Sequence, residues 1–322
     1  MNKPIIAVSS CLLGNNVRFD GGHKKNNLIS DTLPEFMNIQ SLCPEMGVGL
    51  SAPRPAIRLQ DINNKVRLVQ SNDINIDITD KMEAYSDNVI DKLSELDGFI
   101  VKKGSPSCGA WRVPVVVNDN GYRRYDGTGL FTQKIFEKYP WIPVEEEGRL
   151  NDPHLCESFF ERVYALRRWH DIENPETNIN AFINFHSTHK LMLMARNHHQ
   201  YQKLGQWVAG TTVDNLKERR LTYINMFMEV LTLHTSKGKN VNVLLHIMGY
   251  LKKKLHSSDK NELITIFEAY RENKMPLITP LTLLKHHLSR FPSNYILQQH
   301  YLEPCPSSSA LLALRTSVQN KY

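Results

Sequence analysis

The sequence predicts an α/β N-terminal domain followed by an all-α helical C-terminal domain. In the first half, short runs rich in β-branched residues lie between glycine, proline and serine, at residues 5–9, 98–102 and 113–117. They alternate with a segment of helical spacing, whereas from Asn178 onward the periodicity of the apolar residues is helical. Because 322 residues exceed one ordinary domain of about 100–200 residues, two domains are expected.

Five predicted helices follow from apolar residues that recur every three or four positions. One covers residues 80–96, and the next begins near Asp152-Pro153, a pair typical of a helix N-terminus. The apolar residues of these two helices are Met82, Val89, Leu93 and Leu96, and Leu155, Phe159, Val163 and Leu166. Three later helices indicate a helical bundle, and their recurring residues are Phe182, Phe185, His189 and Met192; Leu216, Tyr223, Phe227 and Leu231; and Val243, Ile247, Tyr250 and Leu251.

Charge is distributed unevenly between the two halves. Through residue 155 there are 18 Lys and Arg against 20 Asp and Glu, whereas from residue 156 onward there are 21 against 13. Eleven of the 13 histidines also lie in the later part. We therefore predict one domain at residues 1–150, a connector helix and linker at residues 151–180, and a helical domain at residues 181–322.

The composition is that of a soluble globular protein, with 41% hydrophobic and 22% charged residues, which excludes collagen-like, disordered and coiled-coil chains. No apolar run approaches the roughly 20 residues of a membrane helix. The apolar stretch after Lys3 and Pro4 is too short for a signal peptide. We therefore expect a cytoplasmic protein without membrane association.

The five cysteines, an odd number, are spread widely along the chain, at Cys11, Cys43, Cys108, Cys156 and Cys305. In a reducing cytosol disulfides are not expected, so packing, metal ligation or catalysis must explain each cysteine. Cys156 lies in the predicted connector helix and Cys305 in a C-terminal Pro-Cys-Pro turn, so we expect neither to be a ligand.

The other three cysteines lie in loops next to predicted strands or turns. Cys11 follows the first strand, Cys43 opens the segment CPEMG, and Cys108 follows the strand at residues 98–102. Ligands of an open α/β sheet bind beyond the carboxyl ends of its strands, so these loops can bring three thiolates together. Three thiolates suit an iron–sulfur cluster with one open iron. Three buried structural cysteines are the alternative.

Four segments around these cysteines carry a specific pattern: residues 10–14 (SCLLG), 43–45 (CPE), 103–109 (KGSPSCG) and 125–131 (YDGTGLF). Together they resemble the thiouracil desulfidase family over roughly residues 1–150. The resemblance implies a Rossmann-like α/β domain that carries a [4Fe-4S] cluster on Cys11, Cys43 and Cys108. It also implies that the fourth iron is open and takes sulfur from a thiocarbonyl substrate.

Desulfuration at such a site requires a group that activates water. The open iron would act as a soft Lewis acid that retains sulfide as the leaving group, so that water adds to carbon without net electron transfer. We predict Glu45 as the general base, and Ser105 as a proton relay or a contact to the substrate edge. The alternatives are an exposed or capping carboxylate for Glu45 and a turn residue for Ser105.

The basic residues of the second half suggest a surface that binds RNA phosphates. The alternative is that lysines at a helix C-terminus complement the helix dipole and stay solvated. Zinc is not expected at His186 and His189, because no cysteine or carboxylate lies at matching spacing. The candidate RNA-binding residues are Lys252, Lys253, Lys254, Lys285 and Arg290, with His286 and His287 beside them.

A second set of segments covers much of the helical half: residues 185–190 (FHSTHK), 204–205 (LG), 242–254, 270–271 (YR), 276–285 (PLITPLTLLK) and 299–302 (QHYL). Together they resemble the YbgA-like domain over about residues 185–305. Its fusion to a desulfidase is similar to the bacterial enzymes that remove sulfur from 4-thiouridine in transfer RNA. The resemblance implies thiolated tRNA as the partner, and no protein partner.

Three functions are compatible with these patterns. The favoured one is removal of sulfur from a thiolated uridine in tRNA, which leaves uridine and sulfide. The second is desulfuration of free thiobases such as thiouracil, and the third is a non-catalytic iron–sulfur sensor that binds nucleic acid. Glu45 and Ser105 beside an open iron favour catalysis, because a sensor needs neither.

Overall fold

The computed structural model describes residues 2–117, 121–173 and 178–305. These residues form two compact units, the first ending at Asp171 and the second beginning at Ile172. Residues 174–177 of the predicted linker and residues 306–322 of the predicted helical domain lie outside the described residues. The fold class is confirmed, because the first unit is α/β and the second is all-α.

In its described residues, the first unit contains two sheets and four α-helices. Its strands are β1 Ile5–Ser9, β2 Asn38–Leu42, β3 Ile57–Ile62, β4 Lys65–Gln70, β5 Gly98–Val101, β6 Val113–Val116, β7 Arg123–Gly127 and β8 Val144–Glu146. Its helices are α1 Pro44–Gly47, α2 Thr79–Ile90, α3 Leu130–Lys138 and α4 Pro153–Ile172.

The sheet that positions the candidate site is parallel throughout, in the order β2-β1-β5-β8. Its central strands are almost completely buried, which explains why β1 and β5 are continuous apolar runs in the sequence. Because the strands point the same way, the segments that follow β2, β1 and β5 leave from one edge of the sheet. Three adjacent strands therefore deliver three loops to the same place.

The second sheet is mixed, in the order β4-β3-β6-β7. Strand β3 pairs antiparallel with β4 and parallel with β6, and β6 pairs antiparallel with β7. The strand predicted at residues 113–117 is present as β6, but it lies in this sheet and not beside β1 and β5. Its apolar composition indicated a buried strand and carried no information about its partners.

Helix α4 begins where its capping signal predicted. The Asp152 carboxylate accepts hydrogen bonds from the backbone amides of His154 (2.9 Å) and Leu155 (3.0 Å). The helix packs over Gly98 at the start of β5, where a Cβ atom would lie only 2.8 Å from a Val163 methyl carbon. A glycine at this position therefore allows the helix to approach the parallel sheet closely. By contrast, the helix predicted over residues 80–96 ends at Ile90 and is followed by a 3-10 turn.

The second unit is built from helices around an aromatic core. Phe182 and Tyr223 lie 4.8 Å apart between ring centroids, and Phe185 and Phe227 lie 5.0 Å apart. In the described residues no helix is long and apolar enough to span a membrane. The helices are α5 Ile179–Arg196, α6 His198–Ala209, α7 Leu216–Thr232, α8 Lys237–Leu251, α9 Ser257–Arg271, α10 Ile278–Arg290 and α11 Asn294–Leu297.

One predicted core residue of this unit lies on its surface. Val243, Ile247 and Leu251 of α8 are buried, but Tyr250 is 45% exposed. Leu251 takes the inward position of the last turn, and Tyr250, one residue earlier, is rotated about 100° away from it. The prediction that Tyr250 belongs to the core is wrong for this reason.

Candidate active site

The first unit contains a cavity of about 290 Å³ at the edge where β1, β2 and β5 end. Cys11 lies in a 3-10 turn directly after β1, Cys43 lies between β2 and α1, and Cys108 lies in the turn after β5. All three cysteines line this cavity, together with the predicted site residues Glu45 and Ser105. Its volume lies near the lower limit of small-molecule sites, which is about 300 Å³.

The three thiols are held in surroundings that favour their neutral form. Burial, opposed by Lys102 and Arg18, raises the pKa of Cys11 to about 11. Burial also raises the pKa of Cys43 and, more strongly, that of Cys108. A bound cation therefore has to supply the free energy that converts these thiols to thiolates.

The three cysteines are the donor atoms that this cavity offers to a metal group. Three thiolates are soft ligands of the kind that hold iron–sulfur clusters. In the described residues, no three His, Cys, Asp or Glu side chains are close enough to hold one metal ion between them. An iron–sulfur cluster would suit such a donor set, because each thiolate would bind a different iron.

Glu45 faces the cavity in a fixed orientation. Its Oε2 atom forms an ion pair with Nη2 of Arg54, a side chain that is only 4% exposed. Its Oε1 atom accepts a hydrogen bond of 2.6 Å from the Ser107 hydroxyl. Arg54 also donates from Nη1 to the backbone oxygens of Val17 and Ser51, at 3.0 and 2.8 Å. The guanidinium group therefore ties the carboxylate to two loops.

Ser107 connects Ser105 to Glu45. The hydroxyl oxygens of Ser105 and Ser107 are 3.0 Å apart, and Ser107 is completely buried. Ser105 Oγ also accepts from the backbone amides of Ser107 (3.3 Å) and Cys108 (3.1 Å). Ser105 therefore has the turn role that the sequence left open, and in addition it lies at one end of a hydroxyl–hydroxyl–carboxylate chain.

Sequence reasoning missed Arg54 and Ser107. Arg54 lies in a loop before β3 and carries no motif that marks it as a partner of Glu45. Ser107 lies within the quoted segment KGSPSCG, two residues from Ser105, and this proximity was the available signal. Which of the two serines points at Glu45 depends on the turn geometry, which residue types alone do not determine.

The segment YDGTGLF, also singled out in the sequence, holds the Cys108 turn in place. The Gly129 amide donates to the Gly109 carbonyl oxygen (2.8 Å). The hydroxyl of Thr132, the residue that follows this segment, donates to the Cys108 carbonyl oxygen (2.6 Å). A Cβ atom on Gly129 would lie 2.5 Å from the carbonyl carbon of Ser107. This contact explains the glycine, because only a residue without a side chain fits there.

The rim of the cavity contains basic and aromatic side chains. Lys102 forms an ion pair with Glu147, and Arg18 forms one with Asp20 at 3.3 Å. Phe19 is 42% exposed and lines the opening. Lys102 and Arg18, which line the cavity, are therefore each paired with a carboxylate of the same unit.

Cys156 and Cys305 are both buried, in α4 and after α11 respectively. Neither belongs to the set of described residues that line the cavity. Cys156 belongs to the first unit and Cys305 to the second. Their placement agrees with the expectation that they are not ligands, which is still a prediction.

The predicted RNA-binding residues of the second unit differ in their exposure and in whether a carboxylate lies near them. Lys252, Lys253 and Lys254 are exposed just after the end of α8. Lys285 is half-buried and lies 3.6 Å from a Glu303 carboxylate oxygen, and Arg290 is exposed beside the Phe291 ring. The lysine triplet therefore offers more unbalanced positive charge than Lys285 does.

Three histidines of the second unit, His186, His189 and His287, are buried, whereas six others are exposed: His198, His199, His234, His246, His256 and His286. His287 is buried, and in the described residues neither ring nitrogen has a hydrogen-bond partner, so it does not belong to a basic surface. His186 Nδ1 lies 3.1 Å from the Tyr223 hydroxyl. Burial, with a smaller contribution from Lys190, lowers the pKa of His186 to about 4. His189 contacts the Phe185 carbonyl oxygen at 2.7 Å through Nδ1.

Comparison with known proteins divides the chain in the same way as its structure. Residues 6–147 match the family model described as 2-thiouracil desulfurase, and residues 190–306 match a protein family of unknown function, DUF1722. The Escherichia coli K12 protein named Uncharacterized protein YbgA is 28% identical over 158 residues, which is 49% of this chain and 94% of that protein. A solved structure of the [4Fe-4S]-dependent thiouracil desulfidase TudS is 26% identical with a TM-score of 0.40, and covers 49% of this chain and 99% of that one.

Proposed function

We propose that this chain, which joins a domain of the 2-thiouracil desulfurase type to a DUF1722 domain, is a desulfidase that removes sulfur from thiolated uracil bases. One observation carries the proposal: three cysteines from adjacent strands line the same cavity as a carboxylate and two serine hydroxyls that are linked to one another. The cysteines supply a cofactor site, and the carboxylate and hydroxyls supply proton transfer.

The cofactor that fits this site is a [4Fe-4S] cluster held by Cys11, Cys43 and Cys108, with one iron open. Such a cluster, when bound, provides a soft Lewis acid to which the sulfur of a thiocarbonyl can bind. Support comes from the soft donor set and from the three separate loops that bring it to one cavity.

The residues of the chain supply the water chemistry. Glu45 removes a proton from water as the water oxygen adds to the thiocarbonyl carbon, and the carbon–sulfur bond then breaks. A carbonyl replaces the thiocarbonyl, and sulfur leaves as sulfide with the two protons of the water, so no electrons are gained or lost. Arg54 and Ser107 hold the carboxylate in position, and Ser107 and Ser105 form a path along which the proton can move.

We further propose thiolated tRNA, with 4-thiouridine as the target, as the substrate of the full chain. The first half is nearly neutral, whereas the second half has an excess of basic residues and an exposed lysine triplet. A free base does not need such a partner, but a polyanion does. The candidate contacts are Lys252, Lys253, Lys254, Lys285 and Arg290.

Free thiobases are the second candidate substrate, because the volume and the lining of the cavity suit a single base. At about 290 Å³ it can admit a single base, and its lining belongs entirely to the first unit. In this alternative the basic residues of the helical unit have no role in substrate binding.

One experiment separates the two substrates. Anaerobically purified full-length protein is incubated with 2-thiouracil, 4-thiouridine and thiolated tRNA, and sulfide release is measured at several salt concentrations. Turnover of tRNA should fall steeply with salt, because each neutralised phosphate releases counterions. Replacing Lys252, Lys253 and Lys254 by Glu should reduce turnover of tRNA and leave turnover of the free base intact.

A matched control is a triple variant in which three lysines of the first unit are replaced by Glu, so that the net charge changes by the same amount. Lys65, Lys81 and Lys92 are exposed lysines outside the cavity, and their replacement by Glu should leave turnover of tRNA near the wild-type value. Equal loss in both triple variants, or a preference of the unmodified chain for free thiouracil, would favour the free-base alternative. Absence of sulfide release from all three substrates would contradict the desulfidase proposal itself.

A further inference from the structure

The exposed face of α8 carries an aromatic cluster that the core of the helical unit does not use. Val243, Ile247 and Leu251 fill the buried face, whereas His246 and Tyr250 are exposed. The rings of His246 and Tyr250 lie 5.5 Å apart between centroids, in an edge-to-face arrangement. An exposed tyrosine held by a neighbouring ring offers a flat apolar surface at little cost in side-chain entropy.

A second tyrosine extends this aromatic surface. Tyr295 of α11 lies 5.6 Å from Tyr250 between ring centroids, and the two planes are inclined by 33°. Burial raises the pKa of Tyr295, and the nearby Tyr250 and Tyr201 hydroxyls act in the same direction. Aromatic side chains from α6, α8 and α11 therefore lie close together. We call His246, Tyr250 and Tyr295 the α8 aromatic surface.

Positive charge lies directly beside the α8 aromatic surface. Lys252, Lys253 and Lys254 follow Tyr250 after one residue, and all three are exposed. Within residues 2–117, 121–173 and 178–305, none of the three forms an ion pair with a carboxylate, in contrast to Lys285. These lysines are therefore available to a polyanion, and they lie within a few residues of a stacking platform.

We propose that the α8 aromatic surface binds single-stranded RNA, with an unpaired base stacked on Tyr250 and the neighbouring phosphates on Lys252, Lys253 and Lys254. This inference rests on the proposed function, in which RNA is the substrate, and adds which part of an RNA the helical unit recognises. A base within a duplex hides its faces in the stack, whereas an unpaired base exposes them to an aromatic side chain. The helical unit should therefore prefer loops and single strands to duplex RNA.

The test measures binding of the full-length protein to labelled RNA by fluorescence anisotropy. The probes are an unstructured 12-nucleotide oligouridine and a duplex of the same number of phosphates. Wild-type protein should bind the single strand at least several-fold more tightly than the duplex. Tyr250→Ala should weaken binding of the single strand about 10-fold or more, because stacking of one base is lost.

Several variants separate stacking from other effects of the substitution. Tyr250→Phe keeps the ring and should bind as the wild type does, whereas Tyr250→Leu keeps an apolar contact with Tyr295 but should bind as weakly as Tyr250→Ala. Leu221→Ala removes another exposed apolar side chain of the same unit, 55% exposed, and is the matched control. Reversal of the three lysines should lower the dependence of binding on salt, whereas Tyr250→Ala should leave that dependence unchanged.

The outcomes distinguish this inference from the proposed function. Binding by Tyr250→Ala within two-fold of the wild type, or equal affinity of the wild type for duplex and single strand, would overturn the inference. Turnover of free 2-thiouracil, measured on the same preparations, should be the same in wild type and Tyr250→Ala. If wild type turns over no thiobase, the proposed function fails, and the binding comparison still decides whether the surface recognises unpaired bases.

Discussion

In the first unit the charged side chains of Arg54 and Glu45, 4% and 15% exposed, face a cavity and each other, whereas in the second unit the buried His186 lies next to the Tyr223 ring. The unbalanced charge of the second unit is on its exterior, at the lysines after α8. Buried charges are retained at a site where they are paired and used, whereas exposed unpaired charges are suited to recognition of an oppositely charged partner. This contrast is the basis on which we propose chemistry for the first unit and recognition for the second.

The most complete test of this contrast is removal of one cysteine of the cavity. Cys11→Ala, Cys43→Ala and Cys108→Ala should each lose the cluster, since two thiolates remain where three are needed. The wild type, purified without oxygen, should contain about four iron and four sulfide per chain, the content of one [4Fe-4S] cluster. Chemical analysis of iron and acid-labile sulfide measures this content. Cys156→Ala and Cys305→Ala are the matched controls and should keep the wild-type iron content. Loss of iron in either control, or zinc in place of iron, would contradict the ligand assignment.

Glu45→Gln separates proton transfer from cofactor binding within the cavity. The amide has the shape of the carboxylate but cannot accept the proton from water, so turnover should fall by about 10²- to 10⁴-fold. Iron content and visible absorption should stay at the wild-type values. Near wild-type turnover of 2-thiouracil would remove Glu45 from the mechanism.

His186 provides the corresponding test in the helical unit, where we expect an effect on stability and none on chemistry. Its pKa in the folded unit is about 4, below the ordinary value of 6.5. Between these values the unfolded chain binds more protons, so stability is fully present above pH 6.5 and falls as the pH decreases towards 4. The loss should be roughly 3 kcal/mol.

Chemical denaturation of the helical unit within the full chain, followed by circular dichroism at several pH values, measures this loss. His186→Gln should unfold with a weaker dependence on pH in that window, because the titrating group is gone. His234→Gln removes an exposed histidine of the same unit and should keep the wild-type dependence. A pH profile of His186→Gln identical to that of the wild type would show that this histidine is not the group responsible.

Ser107→Ala should have the smallest of the four effects. It removes one hydrogen bond to Glu45 Oε1 and the link to Ser105, but leaves the Arg54 ion pair. We expect about a 10-fold decrease in kcat, the lower end of the roughly 1.5–3 kcal/mol that a hydrogen bond to a charged group contributes, because the Arg54 ion pair still holds the carboxylate. Ser41→Ala removes an equally short hydroxyl contact, 2.6 Å from Ser10, and should leave kcat unchanged. A normal kcat in Ser107→Ala would exclude Ser107 from the proton path.

The sequence predicted those strands whose burial is visible in their composition. Strands β1, β5 and β6 are apolar runs, whereas β2 and β7 are mostly exposed and have no such signature. The pairing of strands depends on contacts between distant segments, so the division into two sheets is not accessible from local pattern. For the same reason the sequence did not indicate that β6 lies apart from β1 and β5.

The sequence predicted those parts of the candidate site whose residues lie close together in the chain. Cys43 and Glu45 are close in sequence, as are Ser105 and Cys108, and each pair lies at the cavity. The ion pair joins Glu45 of α1 to Arg54 in the loop before β3, and it follows only from the folded structure. In the helical unit, the exposure of Tyr250 could not be predicted from the sequence, because it depends on which residue of the last turn of α8 points inward.

The strand order has a consequence for the time at which the cluster can be inserted during synthesis. Cys11 and Cys43 leave the ribosome early, with β1 and β2, whereas Cys108 follows β5, which pairs on the other side of β1. A parallel pair requires a crossover segment, and here it includes α2, so β5 cannot join the sheet until that helix has been made. A nascent chain that ends before Cys108 therefore offers only two thiols, and iron delivered to it at that stage cannot be retained as a three-cysteine cluster. Under the ligand assignment proposed here, assembly of the cluster must therefore wait until β5 and the Cys108 turn that follows it have been made.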